Sequence, residues 1–222
     1  RLASGEIQLF CGEEGAYKSS DEQEITLVRS FDRGDHWTSP ETISFREGKR
    51  DGMPVPLMLN ESRGIVLAIE DNGLGGPFKP AIVATSCESN WYDSPVDGKS
   101  PRRWRALEEP LPRHVYAGAP YLCQLPTGET LLSVQSTEGR SPAPGHERAQ
   151  MVVYVGDARA RRFTNKTIPF PVPSDANGLW NSLFVKNEST ITAVSSTTIR
   201  GRRGLWSIDG TVVRRTSASP SD

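Results

Sequence analysis

The chain has 222 residues and a formal net charge of -1, with 26 Lys and Arg against 27 Asp and Glu, 36% hydrophobic and 24% charged residues. So even a charge balance gives no electrostatic footprint for nucleic acid or an anionic membrane, no apolar run is long enough to span a bilayer, and the hydrophobic content excludes wholesale disorder. Gly 20 and Pro 17 occur without period, which means many turns, and Cys11, Cys87 and Cys123 form no CxxC pair, which excludes a zinc ribbon or a thioredoxin-type site.

The opening RLASGEIQLF is a turn running into a strand. It has no start Met, basic region or apolar stretch of a signal peptide, so the expectation is a fragment whose N-terminal part is missing. Helical periodicity is nearly absent after it. Short β-rich runs follow instead: EITLVRS, GIVLAIE, AIVATS, TLLSVQS, MVVYVG, TITAVSS and GTVVRR, each bounded by turn residues. Two stretches between them, the one bracketed by Trp91 and Trp104 and RSPAPGHERAQ over 140–150, read as long loops. TSASPSD at 216–222 reads as a tail after a single domain over 1–215. The predicted class is all-β.

A repeat decides between sandwich, barrel and propeller. Gly52-Met-Pro-Val-Pro-Leu-Met-Leu, a turn and IVLAIE match Gly118-Ala-Pro-Tyr-Leu-Cys-Gln-Leu, a turn and TLLSVQS. Both match Gly178-Leu-Trp-Asn-Ser-Leu-Phe-Val, a turn and TITAVSS. LASGEIQLFCGEE fits the second half of one more unit. Hairpins recurring every 60 or so residues, with about four strands per unit, predict β-propeller blades, about four of them here.

Residues 30–37 read Ser30-Phe-Asp32-Arg-Gly34-Asp-His-Trp37. In a hairpin turn, Asp32 can accept backbone N–H bonds, Gly34 can take a positive φ, Ser30 can bond the turn and Trp37 can fold back on it. The pattern S-x-D-x-G-x-x-W resembles the Asp-box, or BNR repeat, of the sialidase superfamily, with weaker echoes at Ser86–Trp91 and Gly156–Phe163. EQEITLVRSFDRGDHW, RDGMPVPLML, GIVLAIEDNG, YAGAPYLCQLPTGETLLSVQSTE and LWNSLFV extend the likeness, particularly to sialidase-like relatives of the exo-arabinanases. The resemblance implies a six-bladed propeller of which the chain holds about four blades, with the Asp-box on an outer part that carries no chemistry. The F/Y-R-I-P motif and early acidic Asp usual in sialidases are not found in this chain.

Ligands of a propeller bind at one mouth of its central channel, so polar residues at the ends of inner strands are the candidates. Glu70 ends an otherwise apolar strand, and the repeat sets Ser136 and Ser196 in its place in the next two units. Glu13 or Glu14 matches it in the unit before, with Glu14 favoured by register and by family patterns reading A-N-E there. Glu14 and Glu70 are therefore the expected acid/base and nucleophile of a glycoside hydrolase, in either order, since such enzymes set two carboxyls across the scissile bond. Arg50, Asp51, Tyr116, Trp180 and Asn181 are the expected sugar pocket. Arg suits carboxylates, Asp and Asn bond hydroxyls, Trp stacks on sugar faces, and Tyr116 orients a carboxylate or, as in sialidases, acts as nucleophile beside a Glu.

His36, His114 and His146 stand apart with no ligand spacing, so no metal and no cofactor is expected. Sequons at Asn60, Asn165 and Asn187, each in an expected turn or loop, offer glycan attachment and favour a secreted, extracellular protein. The resulting reading is a glycosidase acting on terminal sugars of a glycan. Two alternatives stand beside it: an exo-sialidase whose Arg and Asp lie upstream of residue 1, and a non-catalytic glycan-binding propeller.

Overall fold

The computed structural model describes residues 2–13, 23–60, 64–74, 76–84, 102–140 and 146–213. Among these, fourteen strands form four antiparallel sheets, and the only helical element is a 3-10 turn at Asn72–Leu74. The first sheet is β1 (Ile7–Glu13), β2 (Glu24–Ser30) and β3 (Glu41–Ser44). The second is β4 (Asp51–Met58), β5 (Ile65–Asp71), β6 (Lys79–Ala84) and β7 (Arg102–Arg105). The third is β8 (Ala117–Gln124), β9 (Thr130–Ser136), β10 (Gln150–Gly156) and β11 (Phe163–Thr167). The fourth is β12 (Gly178–Val185), β13 (Thr190–Ile199) and β14 (Arg202–Thr211).

Every sheet is a meander in chain order. The predicted all-β class and the three repeated hairpins are present, as β4–β5, β8–β9 and β12–β13. β1 behaves as a second strand: it packs on β4 as β5 packs on β8 and β9 on β12, while β4, β8 and β12 lie side by side.

Alternation along β5 explains how the sheets stack. Both faces are buried, so the strand is apolar throughout. Ile65, Leu67 and Ile69 join Ile25, Leu27 and Ile43 in a core between the first and second sheets. Val66 and Ala68 join Leu122, Leu132 and Val152 in a core between the second and third. A third core, with Leu131, Met151, Val153, Leu183 and Ile191, joins the third sheet to the fourth. Period-two geometry then dictates that Glu70, next in the Val66 series, faces the third sheet, and that Asp71 faces the first.

The first strand of each complete hairpin carries the same defect. Pairing slips between Gly52 and Val55, between Gly118 and Tyr121, and between Leu179 and Ser182. The bulged residues Met53, Ala119 and Trp180 have φ of 49°, 45° and 54°. Non-glycine residues are uncommon in this left-handed region, and such bulges gather beside functional sites. The bulges also fix the repeat register, since Gly52 pairs with Glu70, Gly118 with Gln135 and Leu179 with Ser196. The counterpart of Glu70 in the third sheet is therefore Gln135 and not Ser136. The β4–β5 connection is one residue longer than that between β8 and β9, and a one-residue slip moves a side chain to the other face.

The 30–37 turn forms the bonds expected of its residues. Gly34 N–H donates to Ser30 Oγ (2.8 Å), His36 N–H to Asp32 Oδ1 (2.9 Å) and Trp37 Nε1 to Gly34 O (3.1 Å). Gly34 has φ 103°, and Trp37 folds back on the turn yet stays exposed. The β10–β11 turn repeats the device: Asp157 Oδ1 accepts from Arg159 and Arg161 N–H at 2.8 and 3.0 Å. Two sequons lie as expected: Asn60 in the β4–β5 turn and Asn187 in the β12–β13 turn. Asn165 lies instead on β11.

Candidate active site

Glu70 is the centre of the cluster that the folding brings together. Its side chain is 4% exposed. Glu70 Oε2 accepts a 2.9 Å hydrogen bond from Ala119 N–H, so the left-handed bulge of the next sheet holds the carboxyl of this one. An ideal Cβ on Gly118 would lie 2.6 Å from Glu70 Oε2 and overlap the Tyr116 hydroxyl. The two oxygens thus flank one point, which only glycine leaves open. Phe78 and Tyr116 meet edge to face with ring centroids 6.4 Å apart, the Arg50 guanidinium sits 5.2 Å above the Phe78 ring, and His146 lies 6.2 Å from Tyr116.

The electrostatics follow from burial. Loss of solvent raises the Glu70 carboxyl above the usual range, and this outweighs the opposing Ala119 N–H bond and the Arg50 and His146 charges. Burial, then the Glu70 charge, also raises the Tyr116 phenol, so at neutral pH it is a proton-bearing donor. A carboxyl that keeps its proton to higher pH, beside a phenol donor and a guanidinium, can protonate a leaving oxygen and orient a polyol.

The other expected residues separate along the strand alternation. Arg50 and Tyr116 join Glu70. Asp51 does not: it is fully buried on the opposite face, beside Asp71, its cross-strand partner. Arg103 Nη1 donates to Asp51 Oδ1 (2.8 Å) and Asp71 Oδ2 (3.1 Å). Arg46 bonds both aspartates, and Ser44 Oγ donates to Asp51 Oδ2 (2.6 Å). Burial alone would raise the Asp51 carboxyl, yet Arg103, Ser44 and Arg46 hold it below the usual range. Asp51 is thus an ion-pair residue locking the second sheet to the first, not a sugar ligand.

Trp180 and Asn181 split in the same way. Trp180 is 69% exposed at the bulge equivalent to Met53 and Ala119, whereas Asn181 is buried, with Nδ2 donating to Gly178 O (3.4 Å) and Oδ1 meeting no protein donor. Asn181 is therefore turned into the protein and Trp180 out of it, the two residues that the bulge sets between Leu179 and Ser182.

Glu14 lies outside the described residues, as do Trp91 and the 216–222 tail. The register bears on the pairing of Glu14 with Glu70 all the same. An ideal Cβ on Gly12 would stand 4.0 Å from the N of Met53, the bulge residue homologous to the Ala119 that binds Glu70. Gly12 thus occupies the place in the first sheet that Glu70 holds in the second.

Three residues at the site escaped the sequence reading. Phe78 and Gln23 carry no motif, and His146 falls in a stretch that reads only as loop. The one sequence signal was the repeated Gly-Met-Pro and Gly-Ala-Pro, which marks both bulges. Among the described residues no three His, Cys, Asp or Glu side chains gather as a metal site.

No protein-family model matches the chain, and no curated protein matches it. Solved structures do. A protein of unknown function from Dyadobacter fermentans superposes with a TM-score of 0.68 at 13% identity, over 95% of this chain and 52% of its own. The GH93 α-L-arabinofuranosidase of Fusarium graminearum in complex with arabinobiose superposes with a TM-score of 0.53 at 12% identity, over 92% of this chain and 72% of its own. A NanB sialidase mutant from Streptococcus pneumoniae superposes with a TM-score of 0.57 at 14% identity, over 86% and 26%. The chain shares the fold of these proteins and spans about half the length of the Dyadobacter protein.

Proposed function

We propose that the protein is a glycosidase acting on terminal sugars of a glycan, with Glu70 as the proton donor. The observation that carries this reading is a buried carboxyl held by the backbone N–H of the Ala119 bulge beside the Tyr116 hydroxyl, with burial raising its pKa and Arg50 opposing that rise. The fold it shares with a sialidase and an arabinofuranosidase adds support. Tyr116 serves as a hydrogen-bond donor that orients the substrate or the second carboxylate. Glu14 is the second carboxylate of this reading, Arg50 bonds sugar hydroxyls, and the exposed Trp180 indole forms a stacking platform on the rim. The step needs no other reactant than water: the glycosidic C–O bond breaks as Glu70 gives its proton to the leaving oxygen, the water oxygen bonds to the anomeric carbon, and the proton that water sheds passes to a carboxylate and restores Glu70.

The four sheets are, in this reading, four blades of a larger propeller of the six-bladed sialidase type, and the sequons fit a secreted protein. A panel of terminal aryl glycosides and natural oligosaccharides, incubated with the full-length protein, tests the reading. Release of a terminal monosaccharide supports it. Glycan affinity that never leads to cleavage, survives Glu70→Gln and is lost in Trp180→Ala replaces it with the binding-module reading.

A further inference from the structure

Gln23 has no part in the proposed chemistry, yet the fold builds a slot for it. It immediately precedes β2 and bridges Arg50 in parallel: its N–H donates to Lys49 O at 3.3 Å, and Asp51 N–H donates to its carbonyl at 3.0 Å. The side chain is buried between two glycines from different sheets. An ideal Cβ on Gly12 would stand 3.0 Å from Gln23 Nε2, and one on Gly52 would stand 2.8 Å from Oε1. Both separations are tighter than ordinary contact, so any side chain at either position pushes the amide out. The same point on Gly52 lies 3.3 Å from Glu70 Oε1, so the Gln23 amide and the Glu70 carboxyl come together over Gly52.

Gln23 Oε1 accepts a 2.8 Å bond from Arg50 Nε. A bond to Nε, the nitrogen inside the guanidinium fork, fixes the plane of the group and leaves its two terminal nitrogens for other partners. The Arg50 backbone is clamped as well, because its N–H donates to Asn72 Oδ1 (2.9 Å) and its carbonyl accepts from Asn72 N–H (3.4 Å). With Phe78 beneath it, the guanidinium is held by an edge bond and a ring face while its backbone is pinned by Asn72.

We infer that Gln23 is a positioning residue that aims the Arg50 guanidinium at Glu70, so that the cation facing the candidate acid is set from the neighbouring sheet. The inference rests on the reading of Glu70 as the working carboxyl, but its test needs no substrate. Among the described residues, the charged and titratable groups that face Glu70 are Arg50, His146 and Tyr116, and of these Arg50 is the one held by Gln23.

Carbon-13 NMR of glutamate-labelled protein, with the Glu70 signal assigned by its loss in Glu70→Gln, reads the titration midpoint directly. Gln23→Met keeps the size and removes the acceptor. It should raise the midpoint by roughly one pH unit, the low end of what an opposite charge within ~4–6 Å is worth. In an Arg50→Gln background the same change should do nothing further. Gly12→Ala, whose methyl would stand 3.0 Å from Gln23 Nε2 and in ordinary contact with the Met53 backbone, should displace the amide, shift the midpoint in the same direction, and serves if Gln23→Met fails to fold. An unmoved midpoint in a folded variant, or a shift that persists without Arg50, overturns the inference, since a purely structural role lowers the melting temperature without moving Glu70. Failure of the glycosidase reading shows separately, as cleavage that is indifferent to Glu70→Gln.

Discussion

At the scale of single residues, two buried ionisable groups carry stability costs with opposite pH signatures. The Glu70 carboxyl is raised by burial, so its favourable share in folding is fully present below its unfolded value of 4.5 and is lost as pH rises through the folded value. Glu70→Gln keeps an oxygen for Ala119 N–H and removes a carboxyl that the unfolded chain ionises more readily than the fold does. It should therefore raise Tm at neutral pH by about 2–4 °C, the shift expected for about 1 kcal/mol in a chain of this size, and leave it unchanged near pH 4. A lowered Tm at neutral pH would show that the carboxylate stabilises the fold. Lys79 behaves differently. It is buried, and its ammonium donates to the carbonyls of Val115 and Pro77, the latter at 3.0 Å. Burial drops it from 10.5 to about 8. Between those values the unfolded chain binds the extra proton, so stability should rise with pH across that window. Thermal melts at stepped pH should show this rise in the wild type and not in Lys79→Met.

At the scale of elements, strand alternation decides which residues meet. Gly118→Ala adds one methyl against Glu70 Oε2 and the Tyr116 hydroxyl, with no left-handed φ to penalise it. The expected outcome is an intact sheet by circular dichroism with the site displaced and any glycoside cleavage lost. Arg103→Met leaves the buried Asp51 and Asp71 with Arg46 as their one cation among the described residues, and losing one partner of such a cluster costs roughly 3–5 kcal/mol, measurable by urea unfolding. The hairpin repeat was legible because each strand pair repeats its apolar pattern, and the first two also repeat a Gly-x-Pro at the bulge. The assignment of Arg50–Asp51 and Trp180–Asn181 as joint ligands was not, because a sequence neighbour in a strand is a spatial opposite. The equation of Glu70 with Ser136 failed on one extra turn residue, which no apolar pattern records. Gln23, Phe78 and His146 reach the site through contacts between sheets, and no local sequence signal encodes those.

At the scale of the molecule, the stack of four sheets ends in two open faces. Leu9 is 49% exposed on the first sheet, and Phe184 and Leu205 are 53% and 75% exposed on the fourth. Apolar faces of this kind are interaction or aggregation surfaces, and β14 leaves its outer edge unpaired among the described residues. If further blades cover these faces, Leu9→Lys with Phe184→Lys should make the 222-residue chain more soluble and should lower the Tm of a longer chain that includes those blades. Unchanged solubility and Tm in both would count against that cover. The site itself lies within the stack, where the second and third sheets meet around Glu70, and the glycosidase reading depends on that carboxyl more than on any other group. The most direct measurement is therefore the turnover of a cleaved terminal glycoside by the full-length protein with and without Glu70→Gln, at matched folding by circular dichroism. The account predicts a fall of about 10² to 10⁴-fold, the contribution of a general acid. A Glu70→Gln protein that cleaves at a rate close to the wild type would contradict it.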